Sequence, residues 1–122
     1  MDAERVLQTV MNKFQFKSKI GLFGRSIGGM TASHLAAKYT HLFSVLIVDR
    51  SLSEIKKVAE SLSKGRSISC VFDAFSANGW ICQNVENFHK AKCYKIMTID
   101  PRDDLIDTFA SIMVGVVTRH AK

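Results

Sequence analysis

Apolar residues along this chain fall into runs of two kinds. From Asp2 to Phe14, the residues Val6, Leu7, Val10, Met11 and Phe14 recur at three- and four-residue spacing, which predicts a helix with one apolar stripe. Asp2 stands where a cap is expected, and Gln15 to Ser18 form a polar joint. Lys19 to Phe23 is a short apolar run before a glycine cluster and predicts a buried strand. Gly24 to Gly29 predicts a tight turn, and Met30 to Tyr39 a helix with Ala32, Leu35, Ala36 and Tyr39 on one side. Phe43 to Val48 is the clearest strand signal: continuous, rich in β-branched residues, and ended by Asp49. Such a run suits a central parallel strand buried on both faces. Ser53 to Leu62 predicts a helix striped by Ile55, Val58, Ala59 and Leu62, with Ser51 or Ser53 as its cap and Gly65 as its end.

Periodicity then weakens. Ile68 to Phe75 fits helix or strand, Asn78-Gly79 marks a turn, and Val85 to His89 fits a short helical turn. Cys93 to Ile99 predicts a third strand, and Asp100 to Asp103 a loop. Asp104 to Thr118 predicts a final helix, because Leu105, Ile106, Phe109, Ile112, Met113, Val116 and Val117 make a broad apolar face. The order is α-β-α-β-α, an irregular stretch, then β-α. Alternation of this kind predicts an α/β fold: a short parallel sheet of about three strands with helices on both faces, three layers in all.

Length and composition agree with this picture. The 122 residues suit one domain, 1–122, and 47% apolar with 23% charged residues is ordinary for a globular core. No apolar run approaches the roughly 20 residues that span a bilayer. Met1 to Phe14 lacks the apolar centre of a secretory signal, so a cytoplasmic protein is expected. Cys70, Cys82 and Cys93 are odd in number and widely spaced. They form neither a disulfide framework nor a metal knuckle, and no metal or cofactor is implied. The net charge of +6 raises nucleic acid or an acidic surface as partners. The densest basic groups, Lys56-Lys57 and Lys90, Lys92 and Lys95, are not interleaved with aromatics in the manner of a stacking platform. The expectation is therefore a solvated basic face, with no nucleic-acid partner and no membrane span.

The candidate chemistry lies in the glycine cluster. Gly24-Arg25-Ser26-Ile27-Gly28 reads G-x-S-x-G, with an apolar strand before it and a helix after it, followed at once by Gly29. That context is what a nucleophile elbow requires. The glycines leave room in a strained turn, since a side chain there would meet the neighbouring strand or helix. Ser26 is then lifted clear at the start of a helix, where the Ile27 N–H faces a developing oxyanion and the helix dipole favours negative charge.

These residues resemble the α/β-hydrolase superfamily, in particular its serine-aminopeptidase-like and abhydrolase-domain branch. IGLFGRSIGGMTASHLAA is similar to that family's elbow and following helix, FSVLIVDRSLSEI to its next strand, and CYKIMTIDPRDDLID to the strand and acid loop beyond. The resemblance implies Ser26 as nucleophile and Asp103 as triad acid. Asp100 stands where the family commonly has glycine, so Asp100 and Asp104 remain rivals for the acid. It also implies a truncated α/β-hydrolase domain acting on an ester, thioester or amide through an acyl-enzyme, with a small molecule or peptide as substrate.

The family's triad runs serine, acid, histidine along the chain. Only 19 residues follow Asp103, and they predict one helix without a further strand. His120 is the sole histidine among them and the only candidate by order. His34, His41 and His89 have no motif context. About 18 residues precede the elbow strand, with no loop of H-G type for a second oxyanion donor. A serine lacking a base is a weak nucleophile, so little or no turnover is expected of the chain as given. A fragment of a longer enzyme or a degenerate homologue fits the same residues. Without an earlier strand beside it, KIGLF would be an exposed edge that invites pairing, and a homo-oligomer or a missing partner segment is expected.

Two rivals come from other classes. A nucleotide-binding Rossmann-like module would use Asp49, 21 residues after Gly28, to hold a ribose, but the glycine spacing fails the G-x-G-x-x-G fingerprint. A non-catalytic interaction module would keep the fold and use its basic face and open edge. Phe72, Phe75 and Trp80 are read as packing residues, with a pocket wall as the alternative.

Overall fold

A computed structural model describes residues 2–62 and 83–120. The expectations for Ile68 to Phe75, Asn78-Gly79, Trp80, Cys70 and Cys82 lie outside the described residues. In chain order the elements are α1 (Asp2–Lys13), β1 (Ile20–Arg25), α2 (Gly28–Lys38), β2 (Phe43–Asp49), α3 (Ile55–Leu62), α4 (Asn84–Lys90), β3 (Tyr94–Thr98), a 3-10 turn (Thr108–Ala110) and α5 (Ile112–His120). Helices alternate with a three-stranded, wholly parallel sheet in the order β1-β2-β3. This is an α/β fold, and the most apolar strand is central.

Strand register explains how the core is built. Side chains alternate across a pleat. One face carries Leu22 beside Leu46 and Lys95, then Gly24 beside Val48 and Met97. Leu46 and Val48 are fully buried there, against Ala32, Leu35 and Ala36 of α2, Phe88 of α4, Ile112 and Val116 of α5, and Leu7 of α1. Lys95 escapes this apolar face by snorkelling. Its ammonium donates to the carbonyls of Phe88 and Ala91 at 3.2 and 2.9 Å, at the end of α4, where a cation suits the free carbonyls.

The other face differs from expectation. Its rows are Gly21, Val45 and Tyr94, then Phe23, Ile47 and Ile96, then Arg25, Asp49 and Thr98. Phe23 is 64%, Ile96 49% and Tyr94 84% exposed. The second helical layer expected over β2 is not found among the described residues. Helix α3 does not supply it, because Ile55 and Val58 pack instead with Met30, Leu52 and Ile106.

The C-terminal segment also departs from the periodic reading. Asp104 to Ala110 is not α-helical, and α5 starts at Ile112. The Asp103 carboxylate accepts from the N–H groups of Leu105 and Ile106 at 2.9 and 3.0 Å, and Asp107 accepts from Phe109 at 3.1 Å. Such side-chain acceptors compete with the helical ladder. Leu105 and Phe109, assigned by periodicity to the apolar face, are exposed.

Candidate active site

Strand β1 runs through Gly24 and Arg25, one residue beyond the expected start of the turn, and the chain reverses at Ser26. Ser26 has φ of 53°, in the left-handed region that side chains other than glycine rarely adopt. Its N–H donates to the Asp49 carbonyl at 2.9 Å and its carbonyl accepts from the Gly29 N–H at 3.0 Å. The turn therefore continues the sheet on one side and opens α2 on the other. Ser26 and Ile27 are exposed. Among the described residues no backbone hydrogen bond takes up the Ile27 N–H.

The glycines divide the work unevenly. A methyl group on Gly24 would lie 2.5 Å from the Gly28 carbonyl oxygen and 2.7 Å from the Gly29 Cα. One on Gly29 would collide with the Ser51 side chain and lie 2.8 Å from Val48 Cγ1. Gly28, the last residue of the five-residue pattern, faces open space. This corrects the sequence reading: crowding requires Gly24 and Gly29, and Gly28 meets no obstacle.

A buried polar chain supports the turn from below. Ser51 Oγ donates to the Ser26 carbonyl at 2.7 Å. Asn84 Nδ2 donates to Ser51 Oγ at 3.3 Å and to the Leu52 carbonyl at 2.5 Å. Ser51 and Asn84 are fully buried, so these bonds fix the backbone without solvent competition. Sequence reasoning missed both residues. Ser51 was visible only as a possible helix cap, and Asn84 carried no signal.

The acid loop lies beyond the opposite edge strand, at the same carboxyl end of the sheet. Strands are ~4.8 Å apart, so the ends of β1 and β3, with β2 between, are separated by roughly 10 Å. Ser26 and Asp103 thus follow the carboxyl ends of the two edge strands, with β2 between them. Of the three carboxylates, Asp103 is half-buried and held by one oxygen on the Leu105 and Ile106 N–H groups. Asp100 is engaged by the Arg102 N–H at 3.0 Å and by the Arg50 and Arg102 guanidiniums at 4.0 and 3.8 Å. Asp104 is exposed.

Asp49 is occupied at the middle of this edge. It accepts from Thr98 Oγ1 at 2.5 Å and pairs with Arg25 at 3.6 Å and Arg50 at 3.8 Å. His34 is committed elsewhere, 2.8 Å from Glu4. His120 is the final residue of α5, whose first N–H bonds the Ser51 carbonyl at 2.8 Å. At 1.5 Å per residue the helix carries its backbone about 12 Å from Ile112. Among the described residues no group of His, Cys, Asp or Glu is arranged to hold a metal ion, and no helix is long and apolar enough to cross a membrane.

No protein-family model and no solved structure matches this chain.

Proposed function

We propose that this chain is a serine hydrolase-like domain, built for ester, thioester or amide chemistry through an acyl-enzyme, with little turnover expected of the chain as given. Ser26 is the nucleophile, the Ile27 N–H one oxyanion donor and Asp103 the orienting acid. The general base is unassigned, and His120 is its candidate by chain order. The carrying observation is the positive φ of Ser26 at a strand-to-helix reversal crowded by Gly24 and Gly29. Strain of that kind persists only where the surroundings enforce it, and Ser26 directly follows the carboxyl end of β1.

The test is labelling of the folded chain with a fluorophosphonate probe. Labelling that disappears in Ser26→Ala is the expected result. A native protein that stays unlabelled overturns the reading.

A second reading has its own support. The exposed Phe23, Ile96 and Tyr94 on one sheet face suit a non-catalytic interaction module that retains the fold, with a second copy as the expected partner.

A further inference from the structure

Helix α1 and its joint to β1 present a combination that the proposed hydrolase chemistry does not use. The helix is apolar around more of its circumference than it buries. Leu7 is buried, and Ala3 and Met11 pack beside it. Val6, Val10 and Phe14 follow one another at four-residue spacing, so they lie on one stripe. Val6 is 62% and Phe14 52% exposed. Phe16, two residues on, is 43% exposed. Its ring packs on Phe14 with centroids 6.2 Å apart.

Asp2 opens this stripe, but from its C-terminal end through the joint to β1 the charge has one sign. Lys13, Lys17 and Lys19 alternate with the phenylalanines, and no Asp or Glu occurs from Val6 to Val48. The nearest earlier acid, Glu4, is turned onto Lys38 and His34, each at 2.8 Å. Beside the aromatics, Met11, Phe16, Lys17, Lys19 and His41 line a groove.

We propose that the end of α1 and the joint to β1 form a docking surface for an anionic phospholipid bilayer. Phe14 and Phe16 enter the boundary between headgroups and acyl chains, and Lys13, Lys17 and Lys19 meet the headgroup phosphates. Exposed apolar residues flanked by unopposed lysines are the elements of an interfacial anchor, and charge complementarity selects the anionic surface. A single-stranded nucleic acid is the other polyanion that aromatics and lysines bind, but it needs free ring faces. Here the Lys13 ammonium sits over the Phe14 ring, 5.8 Å from its centroid, and the two rings lean on each other at 47°.

Co-sedimentation of the full chain tests this, with vesicles of phosphatidylcholine alone and of phosphatidylcholine with phosphatidylserine. Binding is expected to the second only, weakening as salt is raised. A lysine close to an anionic surface is worth about fivefold in partitioning, so Lys17→Glu with Lys19→Glu lowers binding at least about 25-fold. Phe14→Ser with Phe16→Ser lowers it independently, through the apolar part. Lys56→Glu with Lys57→Glu makes the same change in net charge on α3 and has a much smaller effect. All six positions are on the surface, so unchanged far-ultraviolet dichroism accompanies each variant. The proposal is overturned by absent binding to the anionic vesicles, by equal losses in the α1 and α3 lysine variants, or by retention of an oligouridylate in place of the vesicles.

Discussion

At the scale of single residues, the Ser26 turn depends on atoms that are missing. Gly24 faces backbone that has no room to move, and Gly29 faces the buried Ser51. Overpacking a tight contact typically costs about 1–3 kcal/mol. Gly24→Ala and Gly29→Ala are therefore each expected to lose stability in that range by urea denaturation, whereas Gly28→Ala stays near the native midpoint. Equal losses at all three positions would show that crowding is not what selects glycine here. The residue scale was also where the sequence was least informative about support. Ser26 stood out because a five-residue pattern lay between strand and helix signals. Ser51 and Asn84 join it only when the segment after β2 meets the start of α4, 25 and 58 positions along the chain.

At the scale of elements, α1 is tied to α2 by polar contacts as well as by Leu7. Glu4 accepts from Lys38 and contacts His34 across the helix pair. Its carboxyl is held down from an ordinary value of 4.5 to about 2, chiefly by the Lys38 hydrogen bond and next by His34. Folding lowers this pKa, so the contribution is complete above about 4.5 and fades as the pH falls toward 2. Thermal unfolding followed between those limits is expected to fall less steeply in Glu4→Gln than in the native chain. Parallel acid limbs for the two proteins would remove Glu4 from the account. Elements also show where periodicity misleads. The stripe from Leu105 to Val117 is real in sequence, but Asp103 and Asp107 hold the intervening N–H groups, and the helix waits until Ile112.

For the whole molecule, the consequential feature is the uneven cover of the sheet. One face is packed by α1, α2, α4 and α5, and the other presents Phe23, Ile96 and Tyr94. Contiguous apolar surface of this sort commonly marks an interaction site, and among the described residues β1 and β3 each pair on one side only. Sedimentation velocity is expected to show association that rises with concentration and is abolished by Phe23→Ser with Ile96→Ser. Higher salt should favour the association by screening the net charge of +6 between copies. A native chain that stays monomeric at high concentration would contradict both the open face and the open edge as contact surfaces.

The sequence by itself determined the alternation of helices and strands, the parallel sense of the sheet and the place of the reversal at Ser26. Each of these depends on local spacing: periods of two or of three to four, continuous β-branched runs, and glycines beside a strand end. Tertiary structure alone decided which sheet face the helices cover, which glycine is crowded, and how Ser51 and Asn84 hold the turn. It also set where the last helix begins, and that Ser26 and Asp103 share one edge with a strand between them. Those outcomes depend on which distant segments meet, and contacts between positions far apart in the chain leave no period in the sequence.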